Sequence, residues 1–156
     1  MLLTEMVAKE LEALKEALPN ARRFGALFTC IPALKAAERA GRTLQVELRM
    51  VPVRSEGDFH DAFATMAEDR VDGFIVISSS FTFSRRVLLA DLAIKHRLPS
   101  VFGIKDHVFA GGLMSYAPDL GDMYRRAASY VDQILKGAKP GNLPVQQPPI
   151  LNWRST

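Results

Sequence analysis

The apolar positions of this chain follow two rhythms that take turns along its length. Leu3, Val7, Leu11, Leu14 and Leu18 step by four, four, three and four, which predicts one helical stripe, and Pro19-Asn20 stops it. Phe24 to Thr29 is a short apolar run that reads as a buried strand. Pro32 then opens a helix through Ala40 and Gly41 closes it. Leu44 to Val53 reads as a second strand, with Leu44, Val46 and Leu48 alternating. Ser55-Glu56-Gly57-Asp58 has the form of a helix cap, with Asp in place of Glu at the third position, and Phe59, Ala62, Phe63 and Met66 follow at helical spacing. Phe74 to Ile77 is continuously apolar, as suits a central parallel strand covered on both faces.

The same alternation continues to the last helix. Phe83, Val87, Leu88 and Leu92 mark a helix ending near Arg97, and Pro99 to Ile104 is a fourth strand. Gly111-Gly112 makes a turn into a short fifth strand. Asp119 caps a long helix through Met123, Ala127, Val131, Ile134 and Leu135, which Gly137 and Pro140 end. From Pro140 onward the chain holds four of its nine prolines, so residues 141–156 read as an extended tail behind a single lobe of residues 1–140.

Strands alternating with helices predict an α/β fold: a three-layer, doubly wound, mainly parallel five-stranded sheet. Right-handed crossovers place helices on both faces. In such a sheet, ligands bind beyond the carboxyl ends of the strands. That rule selects Thr29-Cys30-Ile31, Ser78-Ser79-Ser80-Phe81, Gly103-Ile104-Lys105-Asp106 and Ser115-Tyr116-Ala117.

Composition narrows the chemistry. A length of 156 residues fits one domain, and the net charge of +3 is too small and too dispersed for a nucleic-acid footprint. A single cysteine, Cys30, excludes an internal disulfide. No apolar stretch is long enough for a membrane span. Met1 to Met6 has no basic leader and meets an acid at once, so it does not read as a secretory signal, and as written the chain carries no export address.

Neither the GxGxxG nor the GxxxxGK[ST] phosphate loop is present. His60, His96 and His107 show no metal-ligand spacing to one another, so no metal and no cofactor is expected. His60 and His96 read as helix-surface residues, and for His107, just past the fourth strand, a ligand-facing role is the alternative to a structural one. Cys30 lacks a marked base and reads as a small apolar residue. A phosphoacceptor domain needs acids where Ser78-Ser79-Ser80 stand, and a flavodoxin needs a hydroxyl-rich loop where Thr29-Cys30-Ile31-Pro32 stands. The triple serine before Phe81-Thr82-Phe83 combines hydroxyls with a helix start, a setting for a carboxylate. It equally describes a Ser cap with two core phenylalanines.

Ala110-Gly111-Gly112-Leu113-Met114-Ser115-Tyr116-Ala117-Pro118-Asp119-Leu120, with the downstream segments Ile134 to Pro140 and Leu143 to Pro148, resembles the ABC transporter substrate-binding proteins. Shorter matches are Leu14 to Pro19, Gly73 to Ile77 and Ala93 to Pro99. The resemblance implies one lobe, with flavodoxin-like strand order, of a two-lobed type I periplasmic binding fold. It implies a non-catalytic protein holding a small molecule, such as a hydrophobic or aromatic amino acid, in the cleft between the lobes. An ABC permease would be the partner through the missing first lobe, and the location periplasmic or cell-surface. The ligand residues it implies are Ser78, Ser79, Ser80, Phe81, Gly103, Asp106, Ser115 and Tyr116. Asp119 also matches, but its cap role suffices.

The chain departs from the family pattern by lacking the first lobe, by its short loop at Thr29 to Leu34, and by the segment after Pro148, which does not look like the expected return strand. A truncated or degenerate gene would look the same. The rival readings are a lobe that has lost its ligand and self-associates, and a small α/β enzyme using Cys30 or Asp106. A face left bare around Phe81, Phe83, Ile104, Val108, Phe109 and Tyr116 predicts a homodimer.

Overall fold

The computed structural model describes residues 3–29, 34–146 and 150–154. Cys30, Ile31, Pro32 and the stretch Gln147 to Pro149 lie outside the described residues, so the readings placed on them do too. The elements are α1 (Leu3–Ala17), β1 (Arg23–Phe28), α2 (Leu34–Thr43), β2 (Glu47–Pro52), α3 (Gly57–Glu68), β3 (Gly73–Val76), α4 (Ser80–Ser84), α5 (Arg86–His96), β4 (Ser100–Phe102), α6 (Asp106–Phe109), β5 (Met114–Pro118), α7 (Leu120–Leu135) and β6 (Ile150–Arg154). The sheet runs in the order β2-β1-β3-β4-β5-β6. The first five strands are parallel, as expected. β6 corrects the expectation of a strandless tail after Pro148.

Register explains the hydrophobic pattern. Met50, Ala26, Ile75, Val101 and Met114 lie side by side across the five parallel strands. This row packs with α1 and α2, through Val7, Leu11, Leu14, Ala37 and Ala40. The next row, Val51, Leu27, Val76, Phe102 and Ser115, points to the other face. There Phe59, Phe63 and Met66 of α3 and Leu89, Leu92 and Ala93 of α5 cover it. Five large aromatic side chains, Phe24, Phe59, Phe63, Phe74 and Phe102, are fully enclosed.

Local signals were mostly obeyed. Asp58 accepts the N–H groups of Arg54 and Ser55 and the Ser55 hydroxyl, fixing the approach to α3. Arg97 ends α5 in the left-handed conformation, with Leu98 N–H reaching the Ala93 carbonyl. Gly111, at φ 111°, makes the turn before β5 that only glycine adopts easily. Some boundaries differ: β2 is shorter than the run from Leu44 to Val53, α3 is capped at Glu56 without a side-chain bond rather than at Ser55, and Gly41 lies inside α2, not at its end. A Cβ there would press on Leu48, so glycine is needed for close packing of α2 on β2.

Two compact units emerge: Met1–Ala117 with Asn152–Thr156, and Pro118–Leu151. Within the second, α7 is capped by Asp119, whose Oδ1 accepts the Asp122 N–H, as the sequence predicts. Tyr130 donates its hydroxyl to the Pro144 carbonyl at 2.6 Å, tying the following turn back to α7. No described helix is long and apolar enough to cross a membrane.

Candidate functional site

The carboxyl ends of β3 and β4 bring two polar groups to one place, beside a glycine. Gly103 follows β4, Ser78 follows β3, and Glu10 reaches in from α1, which lies over these strands. A Cβ on Gly103 would run into Ser78 Oγ and into Glu10 Oε1 at 2.6 Å. Glycine therefore leaves room for a carboxyl and a hydroxyl to converge above the strand end.

Glu10 is only 2% exposed, and among the described residues its Oε2 has no hydrogen-bond partner. Ser78 Oγ is buried and unpartnered as well. Burial pushes the Glu10 carboxyl well above the usual carboxylate range, because a low-dielectric surrounding disfavours the charged form. A buried polar group without a partner costs about 1–3 kcal/mol, so two in one spot are an expensive arrangement for packing alone. Glu10 was not singled out from sequence, although the signal was there: it stands three residues after Val7 and four before Leu14, inside the buried stripe of α1.

The other expected residues are distributed around this point. Ser79 caps α4: its hydroxyl accepts the Thr82 N–H at 3.2 Å, while Thr82 Oγ1 accepts the Ser79 N–H at 2.9 Å. The hydroxyl of Ser79 is thus spent on the loop's shape. Ser80 opens α4 and is exposed. Phe81 stacks on Phe59 at 5.4 Å between ring centres and packs against the aromatic core. Asp106 begins α6, half-buried. Tyr116 packs on the α1 side of the sheet, while Ser115 points to the other side, 2% exposed, with its Oγ unpartnered. Thr29 follows β1, half-buried.

His107 is turned inward rather than toward a ligand. Its ring stacks on Phe102 at 4.6 Å, and its Nδ1 lies 3.3 Å from the Ile104 carbonyl. Burial pulls its pKa down, opposed by the carbonyls of Ile104 and Thr82. The bare apolar face also needs correcting. Val108 is buried and Phe81 and Tyr116 are packed, which leaves Phe109, 68% exposed, as the clear outlier of that group.

Known proteins place this architecture. A family model described as ABC transporter substrate binding protein matches residues 4–152. No curated protein matches the chain. Among solved structures, a conserved domain protein from Vibrio cholerae superposes with a TM-score of 0.75 at 20% identity, over 93% of this chain and 51% of that one. An ABC domain in complex with L-Trp from Streptococcus pneumonia gives 0.73 at 21%, over 90% and 50%. A substrate binding protein with adhesive properties from Clostridium difficile gives 0.69 at 15%, over 91% and 50%. The chain spans about half the length of these structures. With the doubly wound sheet and the match over nearly its whole length, the chain belongs to the ABC transporter substrate-binding protein family.

Proposed function

We propose that this chain is a non-catalytic solute-binding lobe that presents a small molecule to an ABC importer. The observation that carries the reading is the pair of unpartnered polar groups, Glu10 and Ser78, at the carboxyl ends of the strands, where this fold takes its ligands. Ser78 and Gly103 form the centre of the site, with Asp106 and Tyr116 flanking it and Ser79, Ser80 and Phe81 shaping the loop. Ser115 backs the same strand end. The ligand we favour is a hydrophobic or aromatic amino acid, a reading supported by the L-Trp complex of the Streptococcus neighbour. A second lobe and a permease complete the transporter, on the outer side of the membrane. Residues 1–140 act as the lobe and 141–156 as its tail.

A thermal-shift screen against the amino acids tests this, since a ligand that binds only the folded state raises its stability. Binding by the lobe alone should be weaker than micromolar, because pockets that hold small molecules well enclose most of their surface. A screen in which no amino acid or small carboxylate moves the melting temperature would remove the reading.

Self-association is the second reading, and exposed Phe109, Ile94 and Val87 favour it. Light scattering of the wild type and Phe109→Ser decides it: a monomer at micromolar concentration excludes the homodimer.

A further inference from the structure

We infer that Glu10 and Ser78 form a receptor point for the primary ammonium group of the solute. The inference rests on the solute-binding reading above and adds the chemistry that recognises the ligand. Glu10 stands on the buried stripe of α1, where an acid serves no packing purpose. Its Oε1 occupies the space that the missing Gly103 side chain would fill, so the carboxyl extends to the strand end beside Ser78. Among the described residues it has no partner for Oε2, and burial is the sole influence on its charge state, with no cationic side chain set against it.

A buried charge is stable only when paired, and an ammonium brings the missing charge together with three donors. One of these can be accepted by Glu10 and another by the Ser78 hydroxyl oxygen. Before binding, burial favours the neutral carboxyl. On binding, its proton leaves to bulk water, the carboxylate forms, and the ion pair with the ammonium replaces an unsatisfied acid. No bond other than the O–H of the carboxyl breaks. A solute that presents a carboxylate to this point gains no such partner.

The test uses the full chain, labelled for NMR, at constant pH near neutral. The probes are 2-phenylethylammonium and, as its opposite, 3-phenylpropionate. The ammonium should move the backbone amides of Ser78 and Gly103, and shift the Glu10 carboxyl carbon from its neutral to its ionised position. Glu10→Gln, which keeps the shape, should weaken this binding by about tenfold or more, equivalent to a loss of about 1.4 kcal/mol. Ser78→Ala, which alters the site from a different element, should weaken it severalfold.

A Glu10 carboxyl already ionised in the free protein would overturn the inference. So would an ammonium that leaves Ser78 and Gly103 unmoved, or a Glu10→Gln variant that binds as well as wild type. An amino acid that stabilises wild type and Glu10→Gln equally would overturn the ammonium point while leaving the solute-binding reading intact. If no solute binds at all, both fall.

Discussion

Among the described residues, each face of the sheet buries one titratable side chain, and each leaves one of its atoms without a partner. On the aromatic face, His107 is held between ring contacts and a backbone carbonyl. On the aliphatic face, Glu10 is equally enclosed and has a bare oxygen. The imidazole stacks on Phe102 and bonds through Nδ1, while its Nε2 has no partner among the described residues. The carboxyl lies at the end of the sheet where ligands enter this fold. An orphaned buried atom therefore does not by itself mark a functional group; what distinguishes Glu10 is its place beside Ser78 and Gly103 at the strand ends.

The largest expected effect probes the aromatic face. Phe74 packs edge-on against Phe63 and Phe102, and Phe74→Ala should cost about 3–5 kcal/mol in urea unfolding. A loss below about 1 kcal/mol would mean that this face is looser than its packing implies. Next comes Gly103→Ala, which forces a methyl into Ser78 and Glu10 and should cost about 1–3 kcal/mol. Adding Glu10→Ala clears the carboxyl and should return part of that loss. Strict additivity of the two would separate Glu10 from Gly103.

The third and fourth predictions set the two titratable groups against each other. The Glu10 carboxyl is raised well above its ordinary 4.5 in the folded state. Its contribution is therefore fully present below that value and is lost as pH rises toward the folded pKa, by at most about 1.4 kcal/mol per pH unit. Glu10→Gln should abolish that decline in stability measured between acidic and neutral pH. His107 is lowered from 6.5 by burial, so its contribution is present above 6.5 and lost as pH falls below it. His107→Phe should flatten the acid side and leave the Glu10 decline toward neutral pH unchanged. Exchanged slopes would break the comparison. The smallest effect lies in the loop between the faces: Ser79→Ala removes the α4 cap and should cost about 1 kcal/mol. A variant that instead lost solute binding with unchanged stability would return the Ser79 hydroxyl to the ligand.

Periodicity carried most of the fold because each strand and helix wears its burial on the surface of the sequence. The row Met50, Ala26, Ile75, Val101, Met114 follows from strand alternation alone. The cap at Asp119 and the turn at Gly111 were legible for the same reason: each needs one residue type at one position. α6 was missed because four residues are too few to show a period, and β6 because its short run follows prolines. In the candidate site, the strand-end rule selects Ser78, Ser79, Phe81 and Gly103 alike, and only the structure shows Ser79 engaged as a cap and Phe81 stacked on Phe59. Glu10 escaped because the search for chemistry was confined to loops, and its meaning depends on contacts nearly a hundred residues away.

The central claim is that the carboxyl ends of β3 and β4 receive a small solute. Mapping backbone amide shifts of the labelled chain against the amino acids at millimolar concentration tests it most directly. The account predicts that an amino acid with an apolar side chain moves Ser78, Gly103 and Tyr116 together, saturably, and leaves α2 and α3 still. Shifts confined to those helices, or none with any amino acid, would contradict it.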